Sequence, residues 1–173
     1  MIRILLNGCN GKMGQIIAKT CMYKEGMSVV AGIDTFTASE NPFPVYSDPS
    51  QVKEDIDVII DFSHPSALDG ILEYAVKKSY PIVIATTGHS NDQKQLIEKA
   101  SRSIPVLLSA NMSLGINLML DLVKKAAKTL NGTFDIEIIE KHHNQKIDAP
   151  SGTALAIADA INSVLPGNEM KYV

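Results

Sequence analysis

An apolar run that passes without a break into a glycine-patterned turn, and from there into a helix, limits this fold more than any other feature. Residues 2–6 are apolar except for Arg3, as expected of a parallel strand buried on both faces. Next come Gly8, Cys9, Asn10, Gly11, Lys12, Met13 and Gly14, a G-x-x-G-x-x-G pattern, and residues 15–22 read as a helix. In that context Gly8 allows a tight turn, Gly11 lets the backbone approach a pyrophosphate, and Gly14 lets helix and strand pack closely. The phosphates would rest on the free N–H groups at the helix start. The plainer reading of the same glycines is a turn without a ligand.

A second strand, residues 28–33, ends in Asp34. An acidic residue about 20 positions past the glycines is where a dinucleotide fold holds the adenosine ribose hydroxyls. Its neighbour is Thr35 rather than arginine, so nothing obvious pairs with a 2′-phosphate and NADH is at least acceptable. Asp34 as a simple turn residue is the alternative. Residues 37–48 read as a proline-broken loop with a short strand at Val45 and Tyr46. Further strands are expected at 57–62, 81–85 and 105–108. Helices are expected over 67–78, capped by Ser66, and from a cap at Asn91 or Asp92 to about residue 101. Strands alternating with helices of this length predict a Rossmann-type α/β fold, a doubly wound parallel sheet. Ligands bind such sheets at the carboxyl ends of the strands. The glycine turn, Asp34, Ser63 and His64, Thr86 and Thr87, and Asn111 and Met112 all fall there. His64 reads first as an ordinary loop residue and second as a lining of that crevice.

From Ser113 the pattern changes. Apolar residues at three- and four-residue steps predict a long amphipathic helix to Leu130, ended by Asn131 and Gly132. Residues 134–140 alternate and predict an antiparallel strand with one wet face. The following stretch gathers Lys141, His142, His143, Lys146 and Asp148 just ahead of Ser151, Gly152 and Thr153. Proton-transferring side chains thus stand at a helix start whose N–H groups can take an anion; the bland alternative is a solvated polar loop. Ser151 or Thr153 starts a helix that Pro166 and Gly167 end. The division expected is a dinucleotide-binding domain at 1–112 and an α+β substrate-binding and oligomerisation domain at 113–173. A helix, a strand and a helix cannot bury a core of their own, so the second domain reads as incomplete, a truncated or a naturally short form.

A net charge of −3 argues against a nucleic-acid binder that neutralises phosphates. No apolar run is long enough to span a bilayer. Cys9 and Cys21 carry no CxxC or matching histidine spacing, so neither a disulfide framework nor a metal site is expected, and a reducing cytoplasm is the simplest compartment.

The glycine turn, Thr86-Thr87-Gly88, residues 109–113 and above all residues 142–154 resemble the 4-hydroxy-tetrahydrodipicolinate (dihydrodipicolinate) reductase family, in collinear order across the chain. The resemblance implies NADH- or NADPH-dependent reduction of a small cyclic dicarboxylate, with loss of water, in lysine and diaminopimelate biosynthesis. It implies that His142 is a proton donor and acceptor and Lys146 a proton donor. His143 would bind substrate, and Gly152 and Thr153 would hold a substrate carboxylate. The dinucleotide would contact Gly8, Cys9, Asn10, Gly11, Lys12, Met13, Asp34, Ala85, Thr86, Thr87, Ser109, Ala110, Asn111 and Met112. Family members are usually homotetramers. The other reading of this shorter chain is a dinucleotide-binding module with little or no turnover.

Overall fold

Six short apolar runs form six strands of one parallel sheet: β1 (Ile2–Asn7), β2 (Met27–Ile33), β3 (Val45–Tyr46), β4 (Val58–Asp61), β5 (Ile82–Ile84) and β6 (Val106–Leu108). Their order is β3-β2-β1-β4-β5-β6, and every neighbouring pair is parallel. Helices α1 (Lys12–Tyr23), α2 (Leu68–Lys78) and α3 (Asn91–Ser101) connect them. This is the Rossmann-type arrangement, with the reversal of strand order between β1 and β4. The computed structural model describes residues 1–38, 40–109, 111–144 and 149–165. The chain divides into two units, Met1–Ala110 and Asn111–Val173, and each has its own apolar cluster.

Alternation along β1 shows why the strands are apolar on both sides. Leu5 joins Ile59, Ile82 and Ile84 in a cluster with Leu68, Ile71, Ala75 and Ile97 of α2 and α3. Leu6 joins Cys9, Ala18 and Phe43 in a separate cluster that includes α1. Successive strand side chains point to opposite faces, so a strand covered on both sides has no polar face. Each fully buried Leu or Ile contributes about 1.5–3 kcal/mol.

Several helix starts differ from expectation. Helix α1 begins at Lys12, three residues before the expected start, because Gly11 in extended backbone already serves as its N-cap. Ser66 does not cap α2. It lies inside a 3-10 turn (Pro65–Ala67) capped by His64, whose ring accepts from Ser66 N at 3.2 Å. Proline at the first turn position suits that turn, and its missing N–H is no loss there. Neither Asn91 nor Asp92 caps α3. Ser90 does, in a reciprocal capping box with Gln93, which satisfies two otherwise orphan N–H groups.

In the second unit, α4 (Leu114–Leu130) and α5 (Gly152–Asn162) hold a small core of Ala127, Ile161 and Leu165, with Val123, Ile136, Ile138 and Ile157 packed against it. Ser151 is the α5 cap, accepting from Ala154 N at 3.1 Å. The expected stop at Pro166 and Gly167 lies outside the described residues. The expected strand at 134–140 does not form. Its alternation survives, with Ile136 and Ile138 half-buried and Phe134 and Ile139 exposed. No neighbouring strand pairs with it among the described residues, and without a ladder extended chain is not a strand. Much of the apolar stripe of α4 is also open to solvent, with Leu114, Leu118 and Leu122 exposed. A groove of about 430 Å³ runs along Val123, Leu130, Phe134, Ile138 and Ile157.

Candidate functional site

The glycine turn is built as its spacing demands. Gly8 has φ 78°, a left-handed conformation that L side chains resist, and a Cβ there would stand 2.6 Å from the Phe62 carbonyl oxygen. A Cβ on Gly14 would collide with the Gly8 carbonyl and lie 2.7 Å from Cys9 backbone. These two glycines allow turn, helix and strand to come together. A Cβ on Gly11 would meet the Gly8 carbonyl oxygen at 3.3 Å, a tight contact but a milder one than at the other two glycines.

Asp34 follows β2. One of its carboxylate oxygens accepts from Asn10 N at 2.9 Å and the other from Phe36 N at 3.2 Å. It therefore braces the glycine turn and forms a turn of its own, while remaining half-exposed. The Asn10 amide also donates to the Phe36 carbonyl. Beside these residues opens a crevice of about 660 Å³, lined among others by Gly8, Gly11, Asp34, Phe36, Phe62, Ser63 and His64. None of the described residues lining it is lysine or arginine.

Beyond β1 the carboxyl ends of β4 and β5 are tied by a group that sequence reasoning passed over. Asp61 is wholly buried. Its Oδ1 accepts from Asn7 Nδ2 at 2.8 Å, Ser63 Oγ at 2.6 Å and Ser63 N at 3.2 Å; its Oδ2 accepts from Thr86 Oγ1 at 2.9 Å. An aspartate inside an otherwise apolar strand was the available signal, since a buried charge must be paired or fully hydrogen-bonded. Of the other expected cofactor contacts, Ala85 is half-buried and its N–H donates to Asp61 O at 2.9 Å, and Thr87 is exposed. Ser109 N donates to Ile84 O at 3.0 Å, next to the end of β5. Lys12 and Met13 are exposed at the start of α1. Cys9 is buried beneath the turn, and burial with nearby Asp34 raises its thiol pKa to about 11.

In the second unit, His142 Nδ1 lies 3.4 Å from Glu140 Oε2, and Glu140 Oε1 accepts from Ser151 N at 2.8 Å. One carboxylate thus links the imidazole to the start of α5. Glu140 had no assigned role in the sequence reading. His143 is exposed. Gly152 and Thr153 form the first turn of α5, and the N–H groups of such a turn have no partner within the helix. Asn111 Oδ1 accepts from Ser113 N at 2.8 Å ahead of α4, and Met112 is half-exposed. Lys146 and Ala110 lie outside the described residues. Among the described residues no cluster of His, Cys, Asp and Glu is arranged to hold a metal ion, and no helix is long and apolar enough to cross a membrane.

Residues 2–112 match the sequence profile described as "Dihydrodipicolinate reductase, N-terminus", and residues 115–172 match "Dihydrodipicolinate reductase, C-terminus". The chain belongs to the dihydrodipicolinate reductase family. A 4-hydroxy-tetrahydrodipicolinate reductase of Caldanaerobacter subterraneus subsp. tengcongensis is 57% identical over 173 residues, all of this chain and 68% of that protein. One from Clostridium tetani is 46% identical over the same span. Among solved structures, a dipicolinate-bound dihydrodipicolinate reductase from Paenisporosarcina sp. TG-14 matches with TM-score 0.76 and 32% identity, over 99% of this chain and 69% of that one. A myo-inositol dehydrogenase from Lactobacillus casei, at 16% identity and TM-score 0.59, shares the fold.

Proposed function

We propose that this reductase-family chain catalyses the NAD(P)H-dependent reduction of 4-hydroxy-tetrahydrodipicolinate to tetrahydrodipicolinate, a step of lysine and diaminopimelate biosynthesis. The observation that carries the reading is the β1–glycine turn–α1 crevice. Two of its glycines are demanded by close packing, and the third, at the helix start, is the least crowded of the three. These residues fit a dinucleotide. The α1 N-terminus, through the first-turn N–H groups of Lys12 and Met13, holds the pyrophosphate against the glycine turn, and Asp34 meets the adenosine ribose. Ala85, Thr86, Thr87 and Ser109, at the β5 and β6 ends, border the rest, with Ala110, Asn111 and Met112 following. When bound, the dinucleotide supplies the hydride.

The chain's own residues manage substrate and protons. The first-turn N–H groups of Gly152 and Thr153 bind a substrate carboxylate, which the helix dipole favours, and His143 adds a further contact. Lys146 brings a positive charge to a dianionic substrate and donates a proton. His142 supplies or accepts a proton at its imidazole while Glu140 keeps that ring at the α5 start. Hydride addition with one proton, and departure of water, gives the product. NADH is the better cofactor, because a 2′-phosphate beside the Asp34 carboxylate would meet like charge, with no lysine or arginine among the described residues lining the crevice to offset it.

The test is to supply enzymatically generated substrate and follow nicotinamide absorbance, with NADH and NADPH affinities measured by calorimetry. Turnover with tighter NADH than NADPH binding is expected. His142→Ala and Lys146→Ala should each lower turnover by about 100-fold or more and leave NADH affinity intact. NADH binding without turnover in the wild type would refute the activity, and unchanged rates in both variants would refute the roles.

A further inference from the structure

Asp61 is the single fully buried ionisable carboxyl among the described residues, and it has no cation. Filling that space with an apolar side chain would be the simpler way to stabilise a sheet, since buried charges are often neutral or unfavourable for stability. What the carboxylate does provide is direction. It fixes Asn7 at the end of β1, Ser63 after β4 and Thr86 after β5 through four donors at 2.6–3.2 Å. The Thr86 hydroxyl is turned down onto Asp61 and away from solvent, with the residue 5% exposed.

Strand order says which part of a ligand these residues serve. The glycine turn after β1 marks the pyrophosphate, and Asp34 after β2 marks the adenosine side. Strands β4 and β5 stand on the other side of β1, so the nicotinamide half runs over their ends. We propose that Asp61 is a positioning residue for the nicotinamide half of the dinucleotide, acting through Thr86 and Ser63 to set the loops that end β4 and β5. The inference rests on the nucleotide-binding reading above.

The test compares NADH with ADP-ribose, which lacks the nicotinamide, by calorimetry on the full chain, with thermal unfolding measured alongside. Asp61→Asn keeps the shape but offers an N–H donor where Thr86 expects an acceptor. Thr86→Val removes the hydroxyl from the other side, and Thr86→Ser restores it. Asp61→Asn and Thr86→Val should each weaken NADH by about tenfold while ADP-ribose stays within about twofold, and Thr86→Ser should bind like wild type. If Asp61→Asn does not fold, the Thr86 pair decides alone. Parallel loss of both ligands, or loss of neither, overturns the positioning role and leaves the nucleotide reading standing. Failure of the wild type to bind NADH overturns both.

Discussion

The three glycines of the turn should separate folding from binding when each is changed to alanine. At Gly8 the left-handed backbone costs about 1–2 kcal/mol for an L side chain. The added Cβ also meets Phe62 and Ser63 backbone atoms at 2.6–2.8 Å, none of which can rotate away. Overpacking of that kind adds about 1–3 kcal/mol, for a total of roughly 2–5 kcal/mol, a large share of the 5–15 kcal/mol that typically holds a domain together. Gly14→Ala lacks the φ penalty and should cost about 1–3 kcal/mol through its collision with Gly8 and Cys9. Gly11→Ala differs in kind. Its backbone is ordinary, with φ −69°. The one neighbour of its Cβ is at 3.3 Å, and the stiffer unfolded chain offsets part of a weaker cap. Stability should change by less than about 1 kcal/mol, whereas NADH affinity should fall by about tenfold or more because the methyl group occupies the approach face. Urea unfolding followed by tyrosine emission suits the measurement. The chain has no tryptophan, and four of its five tyrosines, Tyr23, Tyr46, Tyr74 and Tyr80, belong to the first unit. The reasoning fails if Gly11→Ala unfolds as readily as Gly8→Ala, or if it binds NADH like wild type.

Three further outcomes are expected. The Cys9 thiol, with its pKa raised to about 11 by burial, should stay unreactive toward a disulfide reagent in the native protein near neutral pH and react on unfolding; rapid native labelling at Cys9 would contradict its burial. Hydrogen bonds from Arg3 lower the Asp57 carboxyl from 3.8 to about 2. Because the folded pKa is the lower one, its contribution is present above the unfolded value and is lost as pH falls through about 2. The gap in urea midpoint between wild type and Asp57→Asn should therefore be present near neutral pH and close in acid; a gap that widens in acid would reverse the sign. Ile59→Ala, at a fully buried position in β4, should cost about 2–5 kcal/mol, and a loss below about 1 kcal/mol in the urea series would mean the sheet core is not packed there.

What the sequence showed and what it hid divide along a physical line. The parallel sheet was legible because its strands are covered on both faces, so Leu5 and Leu6 are both apolar and the run stands out. The glycine turn was legible because Gly8 and Gly14 leave no room for a Cβ. Helix caps were harder. Ser66, Asn91 and Asp92 are all capable residues, and the choice fell to His64 and Ser90 through turn geometry that propensity alone does not encode. The stretch 134–140 carries a true alternation, yet a strand also needs a neighbour. Asp61 was read as part of a strand with no role, because its meaning depends on Asn7 and Thr86, which lie 54 and 25 positions away.

The junction of β1 with β4 has a consequence for how this protein assembles. Arg3 grips Asp57 at one end and Asn7 grips Asp61 at the other, each across 54 residues of chain. Closing so long a loop is paid in entropy before either contact forms, so this seam is expected among the late events of folding. The nucleotide crevice straddles that seam and cannot exist before it. A bound dinucleotide should therefore leave the refolding rate nearly unchanged and slow unfolding instead, acting as a latch on a finished sheet and not as a template for building one.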